Sequence, residues 1–335
     1  MTRVLIVGGY GLVGGWIARH LAGAGHDIEL VLAGRRPEAG AKLASETGAS
    51  VAQFDAGNAA ASLAEAGPAD LVISAVQDPD DDLLRASLRT GAAHIGIVRK
   101  THNVGATAMT AALLARRPAL VMGHWQAGVA TFAALAAVQE FEHVDRIEMA
   151  GLYDYADPAG PMSRSDSGTF FGQALVRRDG HWEEVAPTDN TRMIERAGMP
   201  AFAAQPMGVL DVAGLVAATG APWVRFDLGA GDSIGTAGGG PASHEIYVDI
   251  WGQDEQGESR GQRVTVSDRQ GQAHLTALGV LIGAERILGL DGQPAPQAGL
   301  HFPEAVIDPR KAVSRLREFG VRVETAPLPA PQPVS

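Results

Sequence analysis

Cysteine is absent from the 335 residues. That one absence excludes disulfides, thiol nucleophiles and thiolate metal ligands. Lysine is scarce, at Lys42, Lys100 and Lys311 only, and the other cationic side chains are arginines. The longest mainly apolar run, Ala127 to Val138, is too short for a bilayer and rich in small residues. A first strand opening at Arg3 or Val4 leaves no space for a secretory leader, so a cytoplasmic protein is expected. A formal charge of −11 argues against nucleic acid or an anionic membrane as the main partner, and a small molecule is expected instead. His-Glu-x-x-His, the EF-hand loop and the Walker lysine are missing, as is a tyrosine with lysine four positions on. No metal is expected: the acids of DPDDD (78–82) read as helix-start residues that satisfy free backbone N–H groups.

What is present is an alternation. Strand-like runs at Val4–Val7, Ile28–Ala33, Ser50–Phe54, Leu71–Ala75, His94–Val98 and Ala119–Met122 are separated by helical runs. The helical runs are Leu12–Ala24, Glu38–Thr47, Ala59–Ala66, Asp80–Thr90 and Gly105–Arg116. Within the first, Leu12, Val13, Trp16, Ile17, His20 and Leu21 recur at the spacing of one buried face. Repeated strand–helix–strand units predict a doubly wound parallel Rossmann sheet over residues 1–122. From 123 to 299 the pattern changes to long strands (VDRIEMAGLYDY, HEIYVDIWGQDEQGESRGQRVTVSD) and a helix stopped by Gly289. This predicts a second α+β domain with a largely antiparallel sheet, for substrate and dimerisation. The Gly-rich stretches 156–168 and 229–241 read as mobile loops, and 326–335 as a Pro-rich tail.

VGGYGLVGG holds five glycines in nine residues. Gly9-x-Gly11-x-x-Gly14, with Gly8 before it, matches a dinucleotide fingerprint and stands between a strand and an amphipathic helix, as that fingerprint requires. Gly9 is expected to turn the chain, Gly11 to admit the diphosphate, and Gly14 to let helix and sheet close up. Tyr10, Leu12 and Val13 complete the loop, whose free N–H groups face the phosphates. A Gly-rich turn that only packs a helix is the alternative. An NAD site would end its second strand in Asp or Glu, but this chain has Gly34, Arg35 and Arg36. Guanidinium groups fork onto a 2′-phosphate and stack on adenine, which favours NADP(H). Two exposed arginines closing a strand end are the competing explanation. Asp55 and Ala56 at the third strand end suit the adenine, and Ser74, Ala75 and Val76 at the fourth suit the ribose and nicotinamide.

Together VLIVGGYGLVGGWIARHLA, LVLAGRRPEAGAKLA, FDAGNAAASLAEA and ADLVISAV resemble the NADP-binding, reductase-like branch of the saccharopine dehydrogenase family. GAAHIGI and the closing GLHFPEAVIDPRKAVSRLREFGVRV are similar to further segments of it. The resemblance implies an NADP-dependent oxidoreductase acting at a C–N or C=O centre. It also implies a closing segment, about 300–325, that returns to the nucleotide domain, and a homodimer built through the second sheet. One departure is visible: where the family carries Gly-x-x-Pro-Gly, this chain reads Gly123-His124-Trp125-Gln126-Ala127-Gly128.

Hydride transfer needs a proton donor near the reacting heteroatom. His124 is the first candidate, against the alternative of a histidine satisfied by backbone. Tyr153 is the second, against a core or edge role. Lys100 is a candidate to orient a ribose or substrate oxygen, against a solvated charge. Trp125 and Tyr155 are candidates to shape the substrate pocket, Trp125 being equally explained by packing. Arg164 and Arg192 are candidates for a substrate carboxylate, and His94 reads as buried structure. The expected function is hydride transfer with a small imine, amine or carbonyl in an interdomain cleft; the alternative is an NADP(H)-binding sensor or scaffold without turnover.

Overall fold

In the computed structural model, which describes residues 1–98, 103–160 and 173–329, Val4 to Val7 are at most 2% exposed. They form an inner strand of a seven-stranded sheet whose order is β15-β6-β5-β4-β1-β2-β3, with every neighbouring pair parallel. Its strands are β1 (Thr2–Val7), β2 (Ile28–Gly34), β3 (Ser50–Gln53), β4 (Leu71–Ser74), β5 (Ala93–Gly96), β6 (Pro118–Val121) and β15 (Gly299–His301). Parallel strands need crossovers, and the crossover helices bury both faces; β4, β5 and β6 are accordingly buried throughout. The crossovers are α1 (Leu12–Gly23), α2 (Ala41–Thr47), α3 (Ala59–Ala66), α4 (Asp82–Thr90) and α5 (Val104–Leu114). This is the expected doubly wound Rossmann sheet. The strand order reverses at β1, between β2 and β4, which opens a crevice at the carboxyl ends of β1 and β4.

Local details differ from the expected pattern. The inner face of α1 is Gly14, Gly15, Ile17, Ala18, His20 and Leu21, whereas Leu12 is 39% exposed. Small residues bring the helix close to the sheet and leave its first turn in the open. The expected helix 38–47 splits into a 3-10 turn, Pro37–Gly40, and α2, because Pro37 starts the turn without an N–H to donate. Asp78, in the acid run, accepts from the N–H groups of Leu83 and Leu84 at 3.0 Å each and so caps α4, as expected.

The second sheet has nine strands, in the order β10-β11-β12-β7-β13-β14-β16 with the β8–β9 hairpin attached to β12. They are β7 (His143–Tyr153), β8 (Ala174–Arg178), β9 (His181–Val185), β10 (Arg192–Arg196), β11 (Met199–Pro206), β12 (Trp223–Ala230), β13 (His244–Gln253), β14 (Ser259–Asp268) and β16 (Arg322–Leu328). Only the β7–β12 pairing is parallel among these. The longest apolar run is α6 (Val129–Val138), packed against β7, β13 and β14 and against helices Leu210–Thr219 and Pro309–Glu318. A helix apolar on all sides must be surrounded, and α6 is. Among the described residues no helix is long and apolar enough to cross a membrane.

By compactness the described residues form two units: 1–127 with 159–160 and 276–307, and 128–158 with 173–275 and 308–329. This differs from boundaries at 122 and 299. The closing segment also divides instead of returning whole to the nucleotide domain. β15 extends the parallel sheet beside β6, whereas helix Pro309–Glu318 buries Ala312, Val313 and Leu316 in the second unit. β16 then pairs along β14 from Ser267↔Arg322 to Gly261↔Leu328, a ladder that the short β15 cannot offer. The segment 229–241 is not a plain loop: β12 runs to Ala230, and buried Ser233 caps a short helix, Ile234–Ala237.

One face of the second sheet carries charge. In register across β12, β7, β13 and β14 stand Arg225, Glu148, Asp249 and Arg263. Arg192 reaches in from β10 to Glu148 (2.9 Å) and Asp227 (2.5 Å), and Arg225 also holds Asp227 (2.6 Å). Burial pushes the Glu148 carboxyl up, but Arg192 and Arg146 outweigh it, and its pKa lies below the ordinary 4.5. Its stabilising share is therefore complete above that value and fades as pH falls through the depressed native pKa. Asp227 is fully buried, so Asp227→Asn would leave two arginines short of their counter-charge. We expect a loss of about 3–5 kcal/mol in urea unfolding at neutral pH; a loss below 1 kcal/mol would mean that the ladder is not what holds this face.

Candidate functional site

The turn after β1 is built by close approaches. Gly8 has φ +82, so the left-handed residue is Gly8 and not the expected Gly9. Gly9 is confined instead: a Cβ there would lie 2.7 Å from the Ile6 carbonyl oxygen and 3.1 Å from Leu32 Cα. A Cβ on Gly14 would overlap the Gly8 carbonyl. Gly11 is the exposed one, with only the Gly8 oxygen near at 3.1 Å. The first helical bond runs from the Gly15 N–H to the Gly11 oxygen (2.8 Å). No side chain caps α1 and no acidic residue stands in its first turn. With Leu12 exposed and Val13 half-buried, the first-turn amides are open to an anion.

Two flanks meet this turn. Ala75 and Val76 lie against Gly8, each 2.9 Å from where its Cβ would be, and the Ala75 N–H donates to the Val7 oxygen (2.9 Å). Ser74 is buried and donates to the Val76 oxygen at 3.3 Å. On the other flank Arg35 and Arg36 are exposed, and among the described residues neither guanidinium has a hydrogen-bond or ion-pair partner. The Arg36 N–H donates to the Tyr10 hydroxyl (2.9 Å), whose ring lies over Gly34 and Gly40. Asp55 is exposed and caps the 3-10 turn Ala56–Asn58, one carboxylate oxygen accepting from the Gly57 N–H at 3.0 Å.

His124 follows β6 with its side chain fully enclosed. Its Nε2 stands 3.2 Å from Glu304 Oε2, and the Phe302 ring meets it edge-on at 6.5 Å. Trp125 is half-buried. The next residues explain the departure from Gly-x-x-Pro-Gly. Gln126 has φ 49, a conformation closed to proline, and Ala127 has φ 50. Left-handed backbone costs about 1–2 kcal/mol at each such residue. It is held by the Thr276 hydroxyl donating to the Gln126 side chain and by the Ala127 N–H donating to the His124 oxygen (3.1 Å). Glu304 and Phe302 escaped sequence reasoning, although FPEA was noted as a closing segment. Only the pairing of β15 with β6 returns them to His124, and no local signal announces it.

The second-domain candidates belong to the second unit. Tyr153, half-buried, ends β7 and meets the 83% exposed Tyr155 edge-on at 5.4 Å. Between them Asp154 is structural. Burial pushes it up, but Thr236, Ser233 and Ala156 donate to it and hold its pKa at about 2. Arg192, offered for a substrate carboxylate, starts β10 and is consumed by Glu148 and Asp227. His94 lies buried in β5, as expected. Lys100 and Arg164 fall outside the described residues.

Asp157, also missed, accepts from the Gln272 N–H (2.8 Å) at the start of helix Gln272–Leu288. Burial pushes its pKa up to about 6 against that bond, with Asp154, Asp268 and Glu245 adding repulsion. Its native value lies above the ordinary 3.8, so folding is penalised as pH rises through this window, and the penalty is complete above about 6. Asn accepts the same hydrogen bond without the charge. Asp157→Asn should stabilise the protein at pH 8 by about 1–2 kcal/mol, allowing for solvent screening, with no gain at pH 4. Urea midpoints at the two pH values decide it, and a variant less stable at pH 8 would refute the assignment.

A family model described as the saccharopine dehydrogenase NADP binding domain matches residues 4–126. No curated protein matches the chain by sequence. Among solved structures, saccharopine dehydrogenase (L-Glu forming) from Saccharomyces cerevisiae is similar with a TM-score of 0.75 at 12% identity, over 98% of this chain and 100% of that one. Scyllo-inositol dehydrogenase from Lactobacillus casei, with bound NAD(H) and scyllo-inositol, gives 0.49 at 12% identity, over 98% and 99%. Dihydrodipicolinate reductase from Paenisporosarcina sp. TG-14 gives 0.45 at 12%, over 92% and 100%. At such identities the yeast structure establishes the shared fold. Residues 4–126, the stretch that matches the saccharopine dehydrogenase NADP binding domain model, hold the glycine turn, the paired arginines and His124.

Proposed function

We propose that the protein is an NADP(H)-dependent oxidoreductase acting on a small organic imine, amine or carbonyl compound. The observation that carries this reading is the pairing of an uncapped helix start with two exposed arginines that have no partner among the described residues. The amides of Leu12, Val13 and Gly14 take the diphosphate, and Arg35 and Arg36 take the 2′-phosphate. Asp55 accepts from the adenine amino group through its remaining carboxylate oxygen, beside Ala56. Ser74, Ala75 and Val76 support the ribose next to nicotinamide. The cofactor supplies or accepts the hydride. A cytoplasmic homodimer completes the reading; the dimer rests on the resemblance alone.

His124 is the proposed proton donor. Glu304, whose Oε2 lies 3.2 Å from Nε2, is the carboxylate placed to orient its ring. Tyr153 is the second candidate, with Lys100, Trp125 and Tyr155 assigned to substrate. A non-catalytic NADP(H) sensor is the competing reading, favoured by one fact: the His124 side chain is fully enclosed.

Two outcomes are expected. Arg35→Ala should lower the NADPH-to-NADH affinity ratio by one to two orders of magnitude, as the loss of charge-assisted bonds of about 1.5–3 kcal/mol requires. Equal binding of the two cofactors by the parent protein would end the NADP assignment. NADPH oxidation across a panel of imines, keto acids and ketones, with and without amines, should reveal a substrate-dependent rate. His124→Gln should then cut kcat by about 10²–10⁴. Tight NADPH binding with no turnover across the panel would favour the sensor.

A further inference from the structure

We propose that Tyr10 is a positioning residue that sets the preference of this site for a 2′-phosphate, by anchoring the turn that carries Arg35 and Arg36. The inference rests on the NADP(H) reading of the site given above. Tyr10 lies inside the glycine turn, where its sequence position assigns it only to the loop around the diphosphate. Its side chain instead reaches the end of β2.

Three contacts define the arrangement. The Tyr10 hydroxyl accepts from the Arg36 N–H at 2.9 Å. The ring fills the space where side chains at 34 and 40 would stand: a Cβ on Gly34 would come within 2.6 Å of Tyr10 Cζ, and one on Gly40 within 2.8 Å of Cδ1. Both positions are glycine, so the β2 end and the following 3-10 turn close onto the ring.

The consequence is a pinned backbone beneath two free side chains. The Gly34 oxygen accepts from the Phe54 N–H at 2.9 Å, and the Arg36 oxygen from the Ala39 N–H at 3.0 Å. Pro37 further keeps Arg36 out of the helical region, and it stands at φ −131 and ψ 84. The Arg36 oxygen is thus met by backbone, and the Arg36 N–H by the Tyr10 hydroxyl. An exposed arginine has much rotamer freedom to lose on gripping a phosphate. Fixing the point from which each guanidinium leaves the chain is the ordering that a fold can supply before the ligand arrives.

The hydroxyl matters for this role, whereas a space-filling role needs the ring alone. Tyr10→Phe separates the two, because the phenyl ring still packs on Gly34 and Gly40. The experiment measures Kd for NADPH, NADH, 2′,5′-ADP and 5′-AMP by titration, with circular dichroism and a melting curve as folding controls. Tyr10→Phe should lower the NADPH-to-NADH affinity ratio by about three- to tenfold, and the 2′,5′-ADP-to-5′-AMP ratio in step. Gly34→Ala, which drives a methyl group into the ring, should shift both ratios the same way and gives the answer should the first variant fold poorly. If Arg35→Ala collapses the ratios while Tyr10→Phe and Gly34→Ala leave them within twofold, the positioning role is overturned and the NADP(H) reading stands. If none of the three changes the ratios, the reading of the site has failed as well.

Discussion

The nucleotide end of this protein depends on how closely α1 approaches the turn that follows β1. A side chain at position 14 would overlap the Gly8 carbonyl, and one at position 9 would press on the Ile6 oxygen. Every other feature of the crevice follows from that approach. The helix opens at Gly11 with its first-turn amides bare, because Leu12 stays in solvent and nothing caps it. Tyr10 can reach the end of β2 only because the turn is this tight, and Gly34 and Gly40 leave room for its ring. The glycine turn and the end of β2 thus share one packing constraint.

The second unit solves a different problem. α6 is enclosed on all sides, packing on one sheet and two helices, while part of that sheet presents a largely buried row of two acids flanked by arginines. Such a row is stable only when each carboxylate faces a guanidinium, and Arg192, Arg225 and Arg263 serve Glu148, Asp227 and Asp249. Asp154 belongs to the same economy of satisfied acids, since three donors converge on it. Acids that suggest chemistry in a one-dimensional reading are here structural anchors. Asp157 is the exception, a buried carboxylate among like charges.

The strained turn at Gln126 and Ala127 ends the first stretch of the nucleotide unit. Two consecutive left-handed non-glycine residues persist because Thr276 holds the Gln126 side chain and the carbonyls of 126 and 127 rest where Gly279 has no side chain. The turn follows His124 directly and directs the chain into α6. A proline at 126 would forbid it.

Periodicity made the Rossmann sheet legible from β1 to β6, because parallel strands buried on two faces and amphipathic crossovers leave period-two and period-3.6 marks in the chain itself. The glycine fingerprint and the arginines at 35 and 36 were legible for the same reason: the chemistry lies within one βαβ unit, where spacing along the chain is spacing in space. The pairing of Glu304 with His124, the consumption of Arg192 by the ladder, and the passage of β16 to the second sheet were not legible. Each joins residues far apart in sequence through strand order, and strand order is chosen by the packing energy of the whole sheet. Sequence alone determined the glycine turn between β1 and α1 and the two arginines after β2. Only tertiary structure decided which distant carboxylate faces His124 and where the Tyr10 hydroxyl points, because no local preference encodes a contact between separate elements.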